Sequence, residues 1–274
     1  MKKDELGMRM KENYENRAKT SLIRRMPVAI RIDGKAFHTF TRGMKKPFDE
    51  ILMHTMQNTL LYLCENIQGC VFGYTQSDEI TLILVDYKTL TSDAWFDYKV
   101  QKLCSVSASM ATMAFNKFFA KNVQNEIADY ALGSIEPGHG IPRYFTTLKN
   151  AMEKGAMFDA RCFNIPKEEV VNLVYWRQQD AIRNSVQMCG QAYFSQTELQ
   201  GKNQQDIKNM LKEANIMDWD ALSPDLQHGV ACRELTDEEI STSCYQSSSK
   251  WIIDNAMPVL LGEDRAYLEK LIDF

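Results

Sequence analysis

Pro27–His38 reads PVAIRIDGKAFH, and the fold turns on how that run ends. Pro27–Ile32 is short and apolar, which predicts a buried strand. Asp33-Gly34 then puts a carboxylate at the C-terminal tip of the strand, and Lys35 and His38 follow in a sharp turn. A second acidic tip, Gln76-Ser77-Asp78-Glu79, parts two further apolar runs, Val71–Thr75 and Ile80–Val85, which predict a hairpin.

Outward from these tips, Asp49–Ile67 carries Leu52, Met53, Met56, Leu60, Leu63, Cys64 and Ile67 at helical steps, closed by Gly69. Phe96, Val100, Leu103, Ser107, Met110 and Ala114 form one stripe of a second helix, small-residued over Ser105–Ala111. Gly and Pro between Ala131 and Pro142 predict a loop, and Phe158–Ile165 a fourth strand. Pro166 suits the first turn of a long helix to about Gln187. Residues 3–20 predict an exposed or partner-packed helix.

The order β-α-β-β-α-β is that of a ferredoxin-like split βαβ unit, an α+β fold. Its first and third strands are antiparallel neighbours, so the end of one lies beside the start of the other. That topology brings Asp33 to Asp78 and Glu79. Beyond residue 190 the pattern weakens: Asn203–Glu213 and Ala266–Leu271 predict helices, and Gln246–Lys250 a solvated loop. The expected division is a sheet unit over 1–165 that carries the acidic tips and a mainly helical extension over 166–274.

The 274 residues, 45% hydrophobic and 25% charged, describe an ordinary globular chain with a sizeable core. A net charge of −4 gives no global basic field, though a local basic patch remains open to nucleic acid. Seven cysteines without CxxC spacing predict reduced thiols and a cytoplasmic protein. No run approaches the roughly 20 apolar residues of a membrane span, and the charged N-terminus lacks a signal core.

Hard oxygen ligands on two tips suit Mg²⁺, and a pair of such ions about 3.5–4 Å apart can serve phosphoryl transfer. Asp33 and Asp78 are candidates to bridge two Mg²⁺, with the Gly34 carbonyl as a further ligand and Glu79 beside them. Read singly, each tip is a routine turn; their convergence favours the metal. The turn Gly34-Lys35-Ala36-Phe37-His38 can offer consecutive N–H groups to phosphate, with Phe37 or His38 near a base or ribose. Lys46, Lys99 and Lys102 are cationic candidates, although each alone is more simply a solvated charge. Arg177, Asp180 and Asn184 share a helix face, either solvated or turned to substrate. Neither a Walker A sequence nor GxGxxG occurs.

RIDGKAFHTF, KKPFDE, YTQSDE, FDAR and WRQQDAIRNS, in that order, resemble the tRNA-His guanylyltransferase-like family of 3′–5′ polymerases. The resemblance covers roughly residues 5–210. It implies a polymerase-palm fold and addition of nucleotides to the 5′ end of tRNA, with catalytic residues Asp33, Asp78 and Glu79. It also implies two Mg²⁺ on Asp33, Gly34 and Asp78, and nucleotide held by Asp33–His38, Lys46, Ser77, Asp78, Lys99 and Lys102. Arg177, Asn184 and Lys202 would meet tRNA; ATP, GTP or other NTPs would be substrates, and the assembly a homotetramer. Where eukaryotic members carry His-Ile-Asn-Asn, this chain has Ile182-Arg183-Asn184-Ser185. That departure resembles the bacterial and archaeal-type branch and implies template-dependent repair of 5′-truncated tRNA rather than addition of a single guanylate. A nucleotidyl cyclase-like enzyme would share the paired carboxylates without needing RNA. A ferredoxin-like RNA-binding module would instead want aromatics where Ile30, Ile32 and Leu82 stand.

Overall fold

The computed structural model describes residues 4–132, 141–236, 239 and 250–273. Its frame is one antiparallel sheet in the order β4-β1-β3-β2-β5-β6. The strands are β1 (Val28–Gly34), β2 (Cys70–Gln76), β3 (Glu79–Leu84), β4 (Phe158–Asn164), β5 (Val230–Glu234) and β6 (Trp251–Asp254). As expected for the first and third strands, β1 and β3 are antiparallel neighbours, with Asp33 opposite Glu79.

Alternation along β1 sends Val28, Ile30 and Ile32 to one face, where Leu82, Ile80 and Leu84 of β3 join them. Two helices cover that face: α3 (Glu50–Asn66), capped by the Asp49 carboxylate on the Leu52 N–H, and α4 (Val100–Ala131). Before them come α1 (Glu5–Met10) and a single turn, α2 (Phe37–Phe40). The opposite face, with Ala29, Phe72, Tyr74 and Ile83, packs against Val170, Val171 and Val174 of α6 (Lys167–Tyr193). Burying both faces gives these strands their near-continuous apolar runs.

Several expectations need correction. The second helix runs on to Ala131, well past the Ala114 where its apolar stripe was traced. Another helix, α5 (Ile141–Lys154), unmarked in the sequence reading, buries Leu148 and Ala151. The expected loop over Ala131–Pro142 lies mostly outside the described residues, and its last two residues open α5. After α6 come α7 (Gln196–Leu199), α8 (Gln204–Glu213), α9 (Pro224–His228) and α10 (Ala266–Ile272). Yet the C-terminal part also gives the sheet two strands, β5 against β2 and β6 against β5. These strands have only five and four residues, too few for a period-two pattern to stand out. Most of the expected loop at Gln246–Lys250 lies outside the described residues. The six cysteines among the described residues are free thiols, and no described helix is long and apolar enough to cross a membrane.

Candidate active site

The two acidic tips meet through backbone. The Gly34 N–H donates to the Asp78 carbonyl at 3.1 Å, extending the β1–β3 ladder into the hairpin turn. Ser77 takes φ +50° to close that turn, and its hydroxyl donates to the Asp78 carboxylate at 3.1 Å. Burial pushes the Asp78 carboxyl above its ordinary range, and the charges of Asp33 and Glu79 push the same way. Glu79 differs: its buried carboxylate takes Arg31 Nη2 at 2.7 Å on one oxygen and Arg177 Nε at 3.3 Å on the other. Its charge is thus matched, whereas Asp33 and Asp78 have no ion-pair partner among the described residues.

Past β1 the chain turns through Ala36, at φ +55°, into α2. The Lys35 N–H donates to the Met157 carbonyl at 2.8 Å. Those of Ala36, Phe37 and His38 have no acceptor among the described residues, leaving three consecutive donors at the turn. Phe37 does not meet a base or ribose with its ring, as expected for it or His38. The ring is buried against Phe40, Phe115 and Phe158. Gly34 is the counterpart of that packing, since a Cβ there would fall 2.2 Å from the Phe37 ring.

The turn opens on a cavity of about 820 Å³ lined by Gly34, Ala36, Phe37, His38, Lys46, Ser77 and Asp78. α3 contributes Leu52, Met53 and Met56 to its wall, and α6 contributes Ala181, Asn184, Ser185, Met188 and Gln191. Asp33 is not among the lining residues; it sits on the α6 face of the sheet between Glu79 and Asp159. Lys46 is held by its neighbour's clasp. Asp49 accepts from the Lys45 N–H at 2.9 Å and the Tyr144 hydroxyl at 2.9 Å while it caps α3.

Other expected residues are not gathered there. Lys99 and Lys102 lie at the opposite end of the sheet. α4 begins beside the Thr20–Leu22 segment, Ile23 binds Asn164, and Asn164 pairs with Val28. That end is roughly 20 Å from the acidic tip at ~3.4 Å per strand residue. Lys99 is ion-paired with Asp97 at 2.8 Å, and Lys102 lies over the Phe96 ring. Arg177, expected at tRNA, is instead 4% exposed, against Glu79 and Asp180, too deep for a phosphate to reach. Burial pushes the Asp180 carboxyl up, but hydrogen bonds from Arg183 and Arg177 outweigh it and leave it below its ordinary value. Asn184 is exposed on the cavity wall, and Lys202 is exposed between α7 and α8.

Sequence reading missed Asp159, which pairs across from Asp33, and Arg31, which holds Glu79. FDAR carried the first, but nothing in its spacing said which strand residue it would oppose. Helical steps of three, four and seven from Asn184 could have found Ala181, Met188 and Gln191.

Among the described residues no cluster of three or more His, Cys, Asp or Glu side chains has metal-holding geometry. The tip fits a hard divalent ion all the same, because Mg²⁺ commonly takes one or two carboxylates and completes its shell with phosphate and water. Two carboxylates, a glycine carbonyl and the upward push on Asp78 are an oxygen set short of positive charge.

The family model for tRNAHis guanylyltransferase matches residues 7–166. A solved bacterial tRNA(His) guanylyltransferase-like protein in complex with ATP is 34% identical, with a TM-score of 0.78 over 98% of this chain and 100% of that one. One in complex with GTP is 33% identical, with a TM-score of 0.75 over 99% and 100%. An uncharacterised protein of Acanthamoeba polyphaga mimivirus is 28% identical over 233 residues, 81% of this chain and 75% of that protein. With its paired acidic tips, its cavity and a family model matching more than half its length, this chain belongs to the tRNAHis guanylyltransferase family.

Proposed function

We propose that this protein is a Mg²⁺-dependent 3′–5′ nucleotidyltransferase that rebuilds the 5′ end of truncated tRNA, choosing each nucleotide against the opposing strand. The observation that carries this reading is the β1–β3 register. It sets Asp33 opposite Glu79 and ties Gly34 to Asp78 at the mouth of the cavity. The order of the first four strands, β4-β1-β3-β2, supports taking the sheet as a ferredoxin-like polymerase palm.

Asp33, Asp78 and the Gly34 carbonyl would hold two Mg²⁺, which supply charge neutralisation and an activated oxygen. The free N–H groups of Ala36, Phe37 and His38 receive phosphate oxygens, and Lys46 adds positive charge from the facing loop. His38, exposed on the cavity, is placed for a base or ribose. A 5′-monophosphate end is first joined to AMP from ATP, releasing pyrophosphate; a triphosphate end needs no such step. The 3′-hydroxyl of an incoming nucleoside triphosphate then attacks the 5′ phosphorus and expels AMP or pyrophosphate. Both steps are in-line displacements governed by positioning and charge.

The departure at Ile182-Arg183-Asn184-Ser185 supports repair over addition of one guanylate. Asn184 lines the cavity, whereas Ser185 is buried, taking a hydrogen bond from the Trp219 indole at 2.9 Å and donating to the Leu226 carbonyl at 2.7 Å. Both positions line the cavity, but the Ser185 hydroxyl is engaged within the protein, which leaves Asn184 as the exposed polar group that can address a substrate. We place the chemistry in residues 1–165 and the tRNA surface in 166–274, with Asn184 and Lys202 as contacts, in a cytoplasmic homotetramer. Exposed Leu6, Met8 and Met10 on α1 support an assembly contact. Within it, Lys99 and Lys102 can serve only a neighbouring copy's nucleotide.

The test supplies a tRNA lacking its first nucleotide, four labelled NTPs and Mg²⁺. Restoration of the one nucleotide that pairs with the opposing base is expected. Product from NTP alone would favour the cyclase, and absence of label from the 5′ end would overturn the proposal.

A further inference from the structure

Arg177 sits in mid-helix on α6 with its side chain 5% exposed. A buried guanidinium is stable only with its charge matched, and a well-packed apolar side chain would serve stability as well. This one is matched twice, by Glu79 at 3.3 Å from Nε and by Asp180 at 2.5 Å from Nη2. Neither Nε nor the Glu79 Oε1 it faces has hydrogen-bond geometry, so charge rather than directional bonding holds that contact. The second Glu79 oxygen goes to Arg31 at 2.7 Å.

The residue after Asp78 is thus gripped from both sides, by Arg31 of β1 and by Arg177 of α6. One turn along, Asp180 also takes Arg183, and the next residue, Asn184, faces the cavity. The same arginine therefore relates two things a transfer reaction needs in register: the acidic tip and the α6 wall.

Building on the proposed transferase activity, we propose that Arg177 is a positioning residue that acts through Glu79. It fixes the tip so that Asp78 presents its carboxylate to the cavity, and it makes no contact with RNA.

The test is a double-mutant cycle of Arg177→Met and Glu79→Gln, with Arg177→Lys beside it. Three quantities are read: the single-turnover transfer rate, tRNA affinity against salt without divalent cation, and thermal unfolding. Arg177→Met is expected to slow transfer about 10- to 100-fold, the range for groups that orient a ligand from behind. Its tRNA affinity and salt slope stay those of the wild type. Arg177→Lys recovers part of the rate, because charge carries the contact. The double variant is no slower than Arg177→Met, since both changes break one interaction.

Additive losses would separate Arg177 from Glu79 and overturn the proposal. So would weakened tRNA binding with a salt slope shallower by about one, the mark of a lost phosphate contact. If Arg177→Met fails to fold, Arg177→Lys takes its place in the cycle with Glu79→Gln: a double variant no slower than the slower single variant supports the proposal, and additive losses overturn it. A wild type that transfers nothing overturns the transferase reading and this proposal together. A wild type that transfers while the cycle is additive overturns this proposal alone.

Discussion

Asp78 concentrates the tension of the site in one side chain. Its carboxyl is raised above its ordinary value of 3.8, by burial first and then by Asp33 and Glu79. A raised carboxyl favours the folded state while protonated, below that ordinary value, and the advantage is lost as pH rises through the folded-state value. At neutral pH the ionised group therefore burdens the metal-free protein, the usual bargain between stability and a functional charge. Metal-free Asp78→Asn should melt a few degrees above wild type at pH 7, with the gap closing as pH falls through the Asp78 titration. Mg²⁺ should raise the wild-type melting temperature and leave the variant nearly unmoved. A variant that melts below wild type at pH 7 would mean that Asp78 is a structural acceptor instead.

At the level of elements, Asp49 ties three together: it caps α3, clasps the Lys45-Lys46 loop and receives the Tyr144 hydroxyl from α5. Asp49→Ala removes the cap and strands two partly buried donors, a loss of about 2–4 kcal/mol in urea unfolding. It should also raise the KM for nucleoside triphosphate by freeing Lys46. A loss under about 1 kcal/mol would show that the clasp does not bear on stability. Much of this layer was legible beforehand. Short apolar runs announced β1 and the β2–β3 hairpin, helical steps announced α3, Pro166 announced the start of α6, and the expected strand order set Asp33 beside Glu79. The errors have physical causes. Lys99 and Lys102 were assigned to the acidic end, yet β3 runs away from its tip, so the chain after it must begin at the far end. The connectivity contained that answer; similarity of motif obscured it. Helical spacing leaves Arg177 between solvent and substrate, and the resemblance turns it to tRNA, because neither reveals that a buried Glu79 lies opposite. α5 escaped although Ile141, Tyr144, Phe145, Leu148, Ala151 and Met152 recur at helical steps, because the Gly- and Pro-rich run before it marked the region as loop.

Across the whole molecule, both faces of one sheet are buried by chain from both sides of residue 165. α6 and α10 cover Phe72, Tyr74 and Ile83, while β5 pairs along β2. Residues 1–165 expressed alone would expose that face and the β2 edge, so they should aggregate rather than unfold cooperatively. A soluble, cooperatively melting fragment would show that residues 1–165 stand by themselves. Under the proposed function, a chain with net charge −4 would hold RNA by local charge while keeping Asp33 and Asp78 for metal. In the proposed function Asp33 and Asp78, delivered by two strand tips, hold the metal on which transfer depends. The most direct test is single-turnover incorporation of labelled nucleotide into 5′-truncated tRNA by Asp33→Asn and Asp78→Asn, at protein concentrations that saturate tRNA binding. Each variant should bind tRNA as the wild type does and lose at least 100-fold in rate, about 3 kcal/mol of transition-state stabilisation. Transfer at the wild-type rate by either variant would contradict the account.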